Sequence, residues 1–197
     1  MSDIITFDTE VLTNTKVYEP YDLVPETHSI LKTKAQPFDF NIENAKEISE
    51  RLKKTLLIHK ALGVAAPQCG IPLRVFCMGA EGEYITLFNP EIIYRSEETS
   101  PLEEGCLSFP FLILNIVRPS TIKIRFQDEK EIWQDLTLSG LSGRIAQHEY
   151  DHLEGITFNK SAKPLALKMG LIKREKQTKK YARYLVSQRK LQHEKSV

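Results

Sequence analysis

Gln147-His148-Glu149-Tyr150-Asp151-His152-Leu153-Glu154-Gly155 is the stretch that decides how the rest of this 197-residue chain is read. His148 and His152 are four residues apart. On a helix that spacing puts them one turn apart on one face, so both imidazoles reach a single ion. Glu149 lies beside that face and is placed to exchange a proton without ligating. A divalent metal lowers the pKa of a water it binds to about 7, and a neighbouring carboxylate then moves the proton. The plainer reading is a helix that carries two core or surface histidines. Against it, the chain has only five histidines, and two of them take this spacing around a glutamate.

Working outward, the pattern predicts a helix from about Ser139 to Leu153, with Leu141, Ile145, His148, Glu149 and His152 on one side and Gly155 ending it. Arg144 precedes His148 by one turn and either borders a cleft or solvates the helix. A metal site needs a third protein ligand. The HExxHxxGxxH continuation of one metalloprotease class fails, because Phe158 stands where its third histidine belongs. Glu175 fits a second class by distance, but within Lys173-Arg-Glu-Lys176 it reads better as part of a solvated helix face. A cysteine is the remaining choice. Cys106 follows Gly105 in a loop or at a strand end and precedes Pro110, so spacing ranks it first. Cys77 sits inside a predicted strand and reads as a small buried hydrophobe. Cys69 follows a Pro-Gln turn and faces either way.

Elsewhere the chain is α+β. Residues 1 to about 40 carry Pro20, Pro25 and Pro37 and read as an extended arm. A helix is predicted from an N-cap at Asn41, with Ile42, Ala45, Ile48, Leu52, Leu56, His59 and Leu62 on one face, stopped by Gly63. Arg74–Met78 and Tyr84–Phe88 read as strands about the turn Gly79–Gly82, with a short strand at Glu91–Tyr94. Thr121–Phe126 and Glu131–Leu136 form a second hairpin. Phe109–Val117 is the longest apolar run, broken by Pro110 and Asn115 and too short to span a bilayer. A third helical stretch follows Pro164. The expected architecture is antiparallel sheets around a central metal-binding helix, with a C-terminal helix.

Composition bounds the rest. Hydrophobic residues make up 41% and charged residues 27%, which fits a globular domain rather than a disordered chain. Three cysteines give no disulfide framework, and the N-terminus lacks a basic region followed by an apolar stretch, so the expected compartment is the cytoplasm.

Three separated segments, taken together, resemble the peptide deformylase family: Gly63-Val-Ala-Ala-Pro-Gln68, Glu104-Gly-Cys-Leu-Ser108 and Gln147-His-Glu-Tyr-Asp-His-Leu-Glu-Gly155, in the family's order. The likeness covers about residues 28–165. It leaves residues 1–27 as an extension without a functional account and 166–197 as a basic C-terminal helix. One departure is Ala61, where the family has glycine; a methyl there would narrow a peptide cleft without removing a catalytic group.

The resemblance implies hydrolysis of the N-formyl group of formyl-methionine on newly made polypeptides, releasing formate. It implies Cys106, His148 and His152 as ligands of one divalent metal ion, ferrous iron in the cell, with zinc, nickel or cobalt also suited to one thiolate and two imidazoles. It implies Glu149 as the proton carrier, the Gln68 amide and the Leu107 backbone N–H as oxyanion donors, and Gly63 as a backbone contact to substrate. For Gly63 alone, a helix cap explains the residue equally well. Leu62, Leu102 and Leu141 are candidates to line a methionine pocket, though ordinary core also accounts for them. Two competing functions are a metallo-endopeptidase, which Phe158 counts against, and a ribosome-binding module with a closed structural metal. The latter would need Cys69, Cys77 or His59 as a fourth ligand.

The formal charge of +1 hides an asymmetry. Residues 160–197 hold twelve Lys and Arg against two acids, a net +10, which leaves −9 for the rest. The plain reading is a solvated amphipathic helix packed by its apolar stripe. The sharper one is contact with ribosomal RNA near the emerging substrate, as similar deformylases suggest. No membrane partner is expected.

Overall fold

The computed structural model describes residues 18–194 apart from residue 81. In chain order the elements are α1 (Ala45–His59), β1 (Gly63–Ala65), β2 (Val75–Ala80), β3 (Glu83–Arg95), β4 (Thr99–Cys106), β5 (Phe109–Pro119), β6 (Thr121–Gln127), β7 (Trp133–Ser139), α2 (Gly140–Leu153) and α3 (Pro164–Glu194). Five strands form an antiparallel sheet in the order β1-β2-β3-β6-β7, and β4 and β5 form a separate two-stranded sheet. This is the expected α+β arrangement.

Alternation along β2 sets the layers. Phe76 and Met78 turn to one face and join Leu87, Ile122, Ile124 and Phe126 against Ala146 and Leu153 of α2. Val75 and Cys77 turn to the other and meet Ile48, Leu52 and Leu56 of α1. Buried on both faces, β2 reads as a continuous apolar run. A third cluster, Phe109, Leu112, Leu114 and Ile116 of β5 with Phe158, lies beneath the second sheet. Helix α2, which carries His148 and His152, is therefore central.

The first helix starts and stops elsewhere than the pattern predicts. Asn44, not Asn41, is its cap, accepting from Glu47 N–H at 3.0 Å. Asn41 is spent on a turn in which Asp39 accepts from its backbone and side-chain N–H. Ile42 is outside the helix and exposed. The helix ends at His59 with Lys60 left-handed (φ 51°), donating to the carbonyls of Leu56 and Leu57. Gly63 does not stop it and belongs to β1.

The apolar run at Phe109–Val117 belongs to a hairpin the sequence reading did not assign, β4 paired with β5. Leu112, Leu114 and Ile116 point inward, but Phe111, Ile113 and Val117 are apolar and exposed, so the two-residue period is masked. Tyr84–Phe88 and Glu91–Tyr94 are one strand, β3, with an irregularity between Phe88 and Glu91. There Asn89 has φ 48° and bonds the backbone of Phe38.

The stretch expected to be an extended arm is tied down in its described part. Tyr21 N–H donates to Thr55, Val24 N–H to the Gln68 carbonyl, and Ala35 N–H to the Leu153 carbonyl. The tip of the expected extension, residues 1–17, lies outside the described residues. So do the last three residues of the expected basic helix. In α3 the expected apolar stripe is not buried: Leu165, Met169, Ile172, Tyr181, Tyr184 and Leu185 are all exposed, although the Tyr181 ring lies 5.4 Å from that of Phe111. Instead Leu167 and Gly170 meet β5, and Arg174 bonds the Pro110 carbonyl and Glu26. Among the described residues, no helix is long and apolar enough to cross a membrane.

Candidate active site and metal centre

A cleft of about 350 Å³ opens between the C-terminal end of α1 with the start of β1, the edge of β4, and α2. Among its lining residues are Leu62, Gly63, Gln68, Glu104, Cys106, Leu107, Leu141, Arg144, Ile145, His148 and Glu149. Leu102 is not among them; it is exposed on β4, opposite Ile116.

The ligand atoms of Cys106, His148 and His152 lie within 4.8 Å of one another, and Cys106 Sγ is 3.3 Å from His152 Nε2. Cys106 ends β4 at a register shift between Gly105 and itself, which turns the thiol toward α2. The helical period brings the two imidazoles to the same point. Cys69, Cys77, His59 and Glu175 are not part of this group. Burial pushes the thiols of Cys69 and Cys77 up to about 12, and Glu175 is exposed and paired with Lys179 at 2.6 Å. Phe158 packs its ring 5.4 Å from that of His148.

The donor set fits a divalent cation. One thiolate and two imidazoles are its ordinary ligands, and the three donor atoms lie close enough together to share one ion. His148 Nδ1 is 2.9 Å from Glu104, which leaves its Nε2 toward the cluster. Burial disfavours charge on His148, but bonds to Cys106 and Glu104 outweigh it and raise its pKa to about 10. A proton there supplies positive charge that a cation would supply in its place. His152 is held well below the usual histidine value, first by burial and then by the positive charges of His148 and Arg118, so it is neutral and able to ligate. Its Nδ1 is buried without a hydrogen-bond partner.

Glu149 is buried, and its Oε2 also has no partner. Desolvation raises its carboxyl to about 7; a cation beside it would pull the value back down. Gly63 explains how β1 comes so close. A Cβ on Gly63 would stand 2.5 Å from Glu149 Oε1 and 2.8 Å from an Ile145 methyl, so only glycine fits.

Gln68 has a fixed orientation. Its Oε1 accepts from Ala65 N–H at 2.8 Å, so its amide N–H group must face the cleft, where it donates to Ser108 Oγ (3.2 Å) and Cys106 Sγ (3.4 Å). Leu107 begins the turn between β4 and β5 beside Cys106.

Behind the histidines lies an ionic network that motif reading left unassigned. Arg118 of β5 grips Glu104 through Nε–Oε1 (2.6 Å) and Nη2–Oε2 (3.0 Å), and reaches Asp151 of α2 at 2.6 Å. Arg144 is buried; it donates to Glu104 at 3.1 Å and to the carbonyls of Ser100 and Ile116. It therefore borders the cleft and does not solvate the helix. Burial would raise the Glu104 pKa, yet the bonds from His148 and Arg118 hold it at about 2. The signal for Arg118 was present: it follows Leu112, Leu114 and Ile116 in the inward phase of the same strand.

Known proteins place the chain in a family. The family described as Polypeptide deformylase matches residues 20–168, so it reaches both sides of the expected 28–165. The peptide deformylase of Thermotoga petrophila is 38% identical over 127 residues, which is 64% of this chain and 77% of that protein. The Pseudothermotoga lettingae peptide deformylase is 34% identical over 154 residues, 77% of this chain and 90% of its own. The Thermotoga maritima crystal structure superposes with a TM-score of 0.72 at 34% identity, covering 75% of this chain and all of that one. A Synechococcus elongatus peptide deformylase in complex with actinonin gives 0.75 at 28% identity, over 79% and 88%. On the extent of the family match and the likeness to these relatives, the chain belongs to the polypeptide deformylase family.

Proposed function

We propose that the cleft removes the formyl group from formyl-methionyl polypeptides, and that Cys106, His148 and His152 hold the metal for it. The chain is a peptide deformylase by family, a metal-dependent hydrolase that releases formate from the N-terminus of new polypeptides. The observation that carries the assignment of residues is the buried, unpartnered Glu149 carboxylate oxygen beside a thiolate and two imidazoles in one cleft.

When bound, a divalent metal would acidify a water and polarise the formyl carbonyl. Glu149 takes the proton of the attacking water and passes it to the methionine nitrogen as the C–N bond breaks, so formate and a free amine leave. The Gln68 amide and the Leu107 backbone N–H donate to the oxygen that gains charge as water adds; losing one such donor costs about 10²–10³ in rate. Gly63 lets β1 approach the substrate backbone and Glu149 together. Leu62 and Leu141, with Ile145, offer the methionine side chain an apolar wall. Leu102 would act only at the rim.

Replacing Glu149 by Gln is expected to leave bound metal unchanged and to lower kcat for formyl-Met-Ala by about 10²–10⁴. A parent-like formate release rate would remove Glu149 from this role. The metal is Fe²⁺ in this reading, although the donors also suit Zn²⁺, Ni²⁺ and Co²⁺. Metal analysis of anaerobically purified protein tests it, since a ferrous centre would lose activity in air as the thiolate oxidises.

The second reading concerns α3. From Glu175 to Ser187 every position is exposed, and the Lys and Arg side chains there face solvent all round. That supports docking on ribosomal RNA, in the cytoplasm, where the formylated substrate emerges. Ribosome binding that did not weaken with salt would end it.

A further inference from the structure

Cys106 arrives on β4, whereas His148 and His152 arrive on α2. Three ligands from two elements make a site only as precise as the gap between them. In the described network two guanidinium groups span that gap, Arg144 on α2, which reaches Glu104 and Ser100, and Arg118 on β5, which reaches Glu104 and Asp151. We propose that Arg118 is a positioning residue for the metal centre: it ties the strand bearing Cys106 to the helix bearing the two histidines and holds Glu104 against His148. This rests on the reading of Cys106, His148 and His152 as the ligands.

The bonds divide by direction. Nε and Nη2 of Arg118 hold both oxygens of Glu104, two residues before Cys106. Nη1 holds Asp151, next to His152. Glu104 in turn bonds His148 Nδ1 at 2.9 Å, which fixes the ring plane and the tautomer. Arg118 and Glu104 are both buried, so these bonds work with little competition from water. Arg144 is a second tie between α2 and the β4–β5 sheet, but beyond Glu104 it meets only Ser100 and a backbone carbonyl. Arg118 alone among the described residues joins an acid on β4 to an acid on α2.

The geometry also says why the residue is arginine. A planar fork with three directed donors serves two carboxylates at once. A lysine ammonium in the same place carries the charge but cannot hold both Glu104 oxygens and Asp151 in plane. The histidines differ in consequence. His148 is braced through Glu104, while His152 Nδ1 has no partner, so slack at Arg118 reaches the centre first through His148.

The test uses the whole chain stripped of metal and titrated with Co²⁺, whose visible spectrum reports ligand geometry. Arg118→Lys is expected to weaken Co²⁺ binding by about 10–100-fold, to alter the Co²⁺ spectrum, and to lower kcat for formyl-Met-Ala more than it raises KM. Asp151→Asn keeps an acceptor on Arg118 and is the second variant should Arg118→Lys fold poorly; it is expected to shift the Co²⁺ spectrum with a smaller loss of affinity. Parent-like affinity and spectrum in both variants, with only a lower melting temperature, would make Arg118 a fold residue and overturn the proposal. If the parent itself took up no Co²⁺, or Cys106→Ala bound it unchanged, the ligand reading would fail instead. The two failures are therefore distinct.

Discussion

Two helices of this chain carry many charges and treat them in opposite ways. Helix α2 buries eight of its fourteen residues, among them Arg144, His148, Glu149 and His152. Helix α3 runs for 31 residues and, among those described, buries only Gly170. On α2, packed between two sheets, each charge must find a partner or change its protonation. Glu104 answers His148, Arg118 and Arg144, and Glu149 is left as the acid whose carboxyl burial raises. On α3, packed along one strand edge, lysines need no partner and remain available to one. The family match ends at residue 168, so it includes all of α2 and only the first residues of α3. Charge enclosed on α2 lines the cleft, and charge left exposed on α3 faces solvent, open to the contact with RNA proposed above.

The comparison breaks most severely where α2 is most tightly enclosed. Gly63→Ala inserts a methyl into the contact between β1 and Glu149. Either the strand retreats or the carboxylate moves, and a displacement of about 1 Å in a reacting group costs about 10²-fold. The expected result is a fall in kcat of that order with about 1–3 kcal/mol of lost stability. Formate release and thermal melting measure the two effects. Parent-like turnover would mean that the close approach of β1 does not set the position of Glu149.

Gly170→Leu sharpens the contrast from the other side. A Cβ at Gly170 already meets a Leu114 methyl and lies 3.3 Å from the Ile113 carbonyl, so a larger side chain levers α3 off β5. A stability loss of about 1–3 kcal/mol is expected from overpacking, with kcat lowered far less than by Gly63→Ala, because Leu112 and Leu114 do not line the cleft and reach it only through Cys106, which packs against their cluster. A kcat loss as large as that of Gly63→Ala would show that α3 supports the active site.

How much of this was legible follows the same division. The helical spacing of His148 and His152 and the glycine before Cys106 are local signals, and the sequence conveys them. Gly63 was misplaced as a helix stop because its reason is a contact with Glu149, 86 residues away, which no local pattern encodes. The β4–β5 hairpin escaped because β5 is apolar on both faces and β4, Thr-Ser-Pro-Leu-Glu-Glu-Gly-Cys, lacks branched strand formers after its first residue. Arg118 went unassigned with it, since an inward arginine has meaning only once the strand phase is known. For α3 the residues at Leu165, Met169 and Ile172 imitate a packing stripe, but the small surface at Gly170 fits β5 more closely.

The smallest effect on chemistry is expected where α3 is freest. Lys179, Lys180 and Arg183 are exposed, and of the three only Lys179 has an ion-pair partner among the described residues, Glu175 on the same helix. Changing all three to Glu leaves α2, the cleft and the Glu104 network untouched, so kcat and KM for formyl-Met-Ala should stay at parent values. Binding to ribosomes is another matter. Each lost phosphate contact should reduce the slope of affinity against salt by roughly one unit, and reversed charges add repulsion. Unchanged short-peptide turnover with weakened, salt-shallower ribosome binding would separate the two helices by function. If the triple variant bound ribosomes as the parent does, the basic tail would be only a solvated helix, and enclosure of charge by α2 would account for all that this chain does.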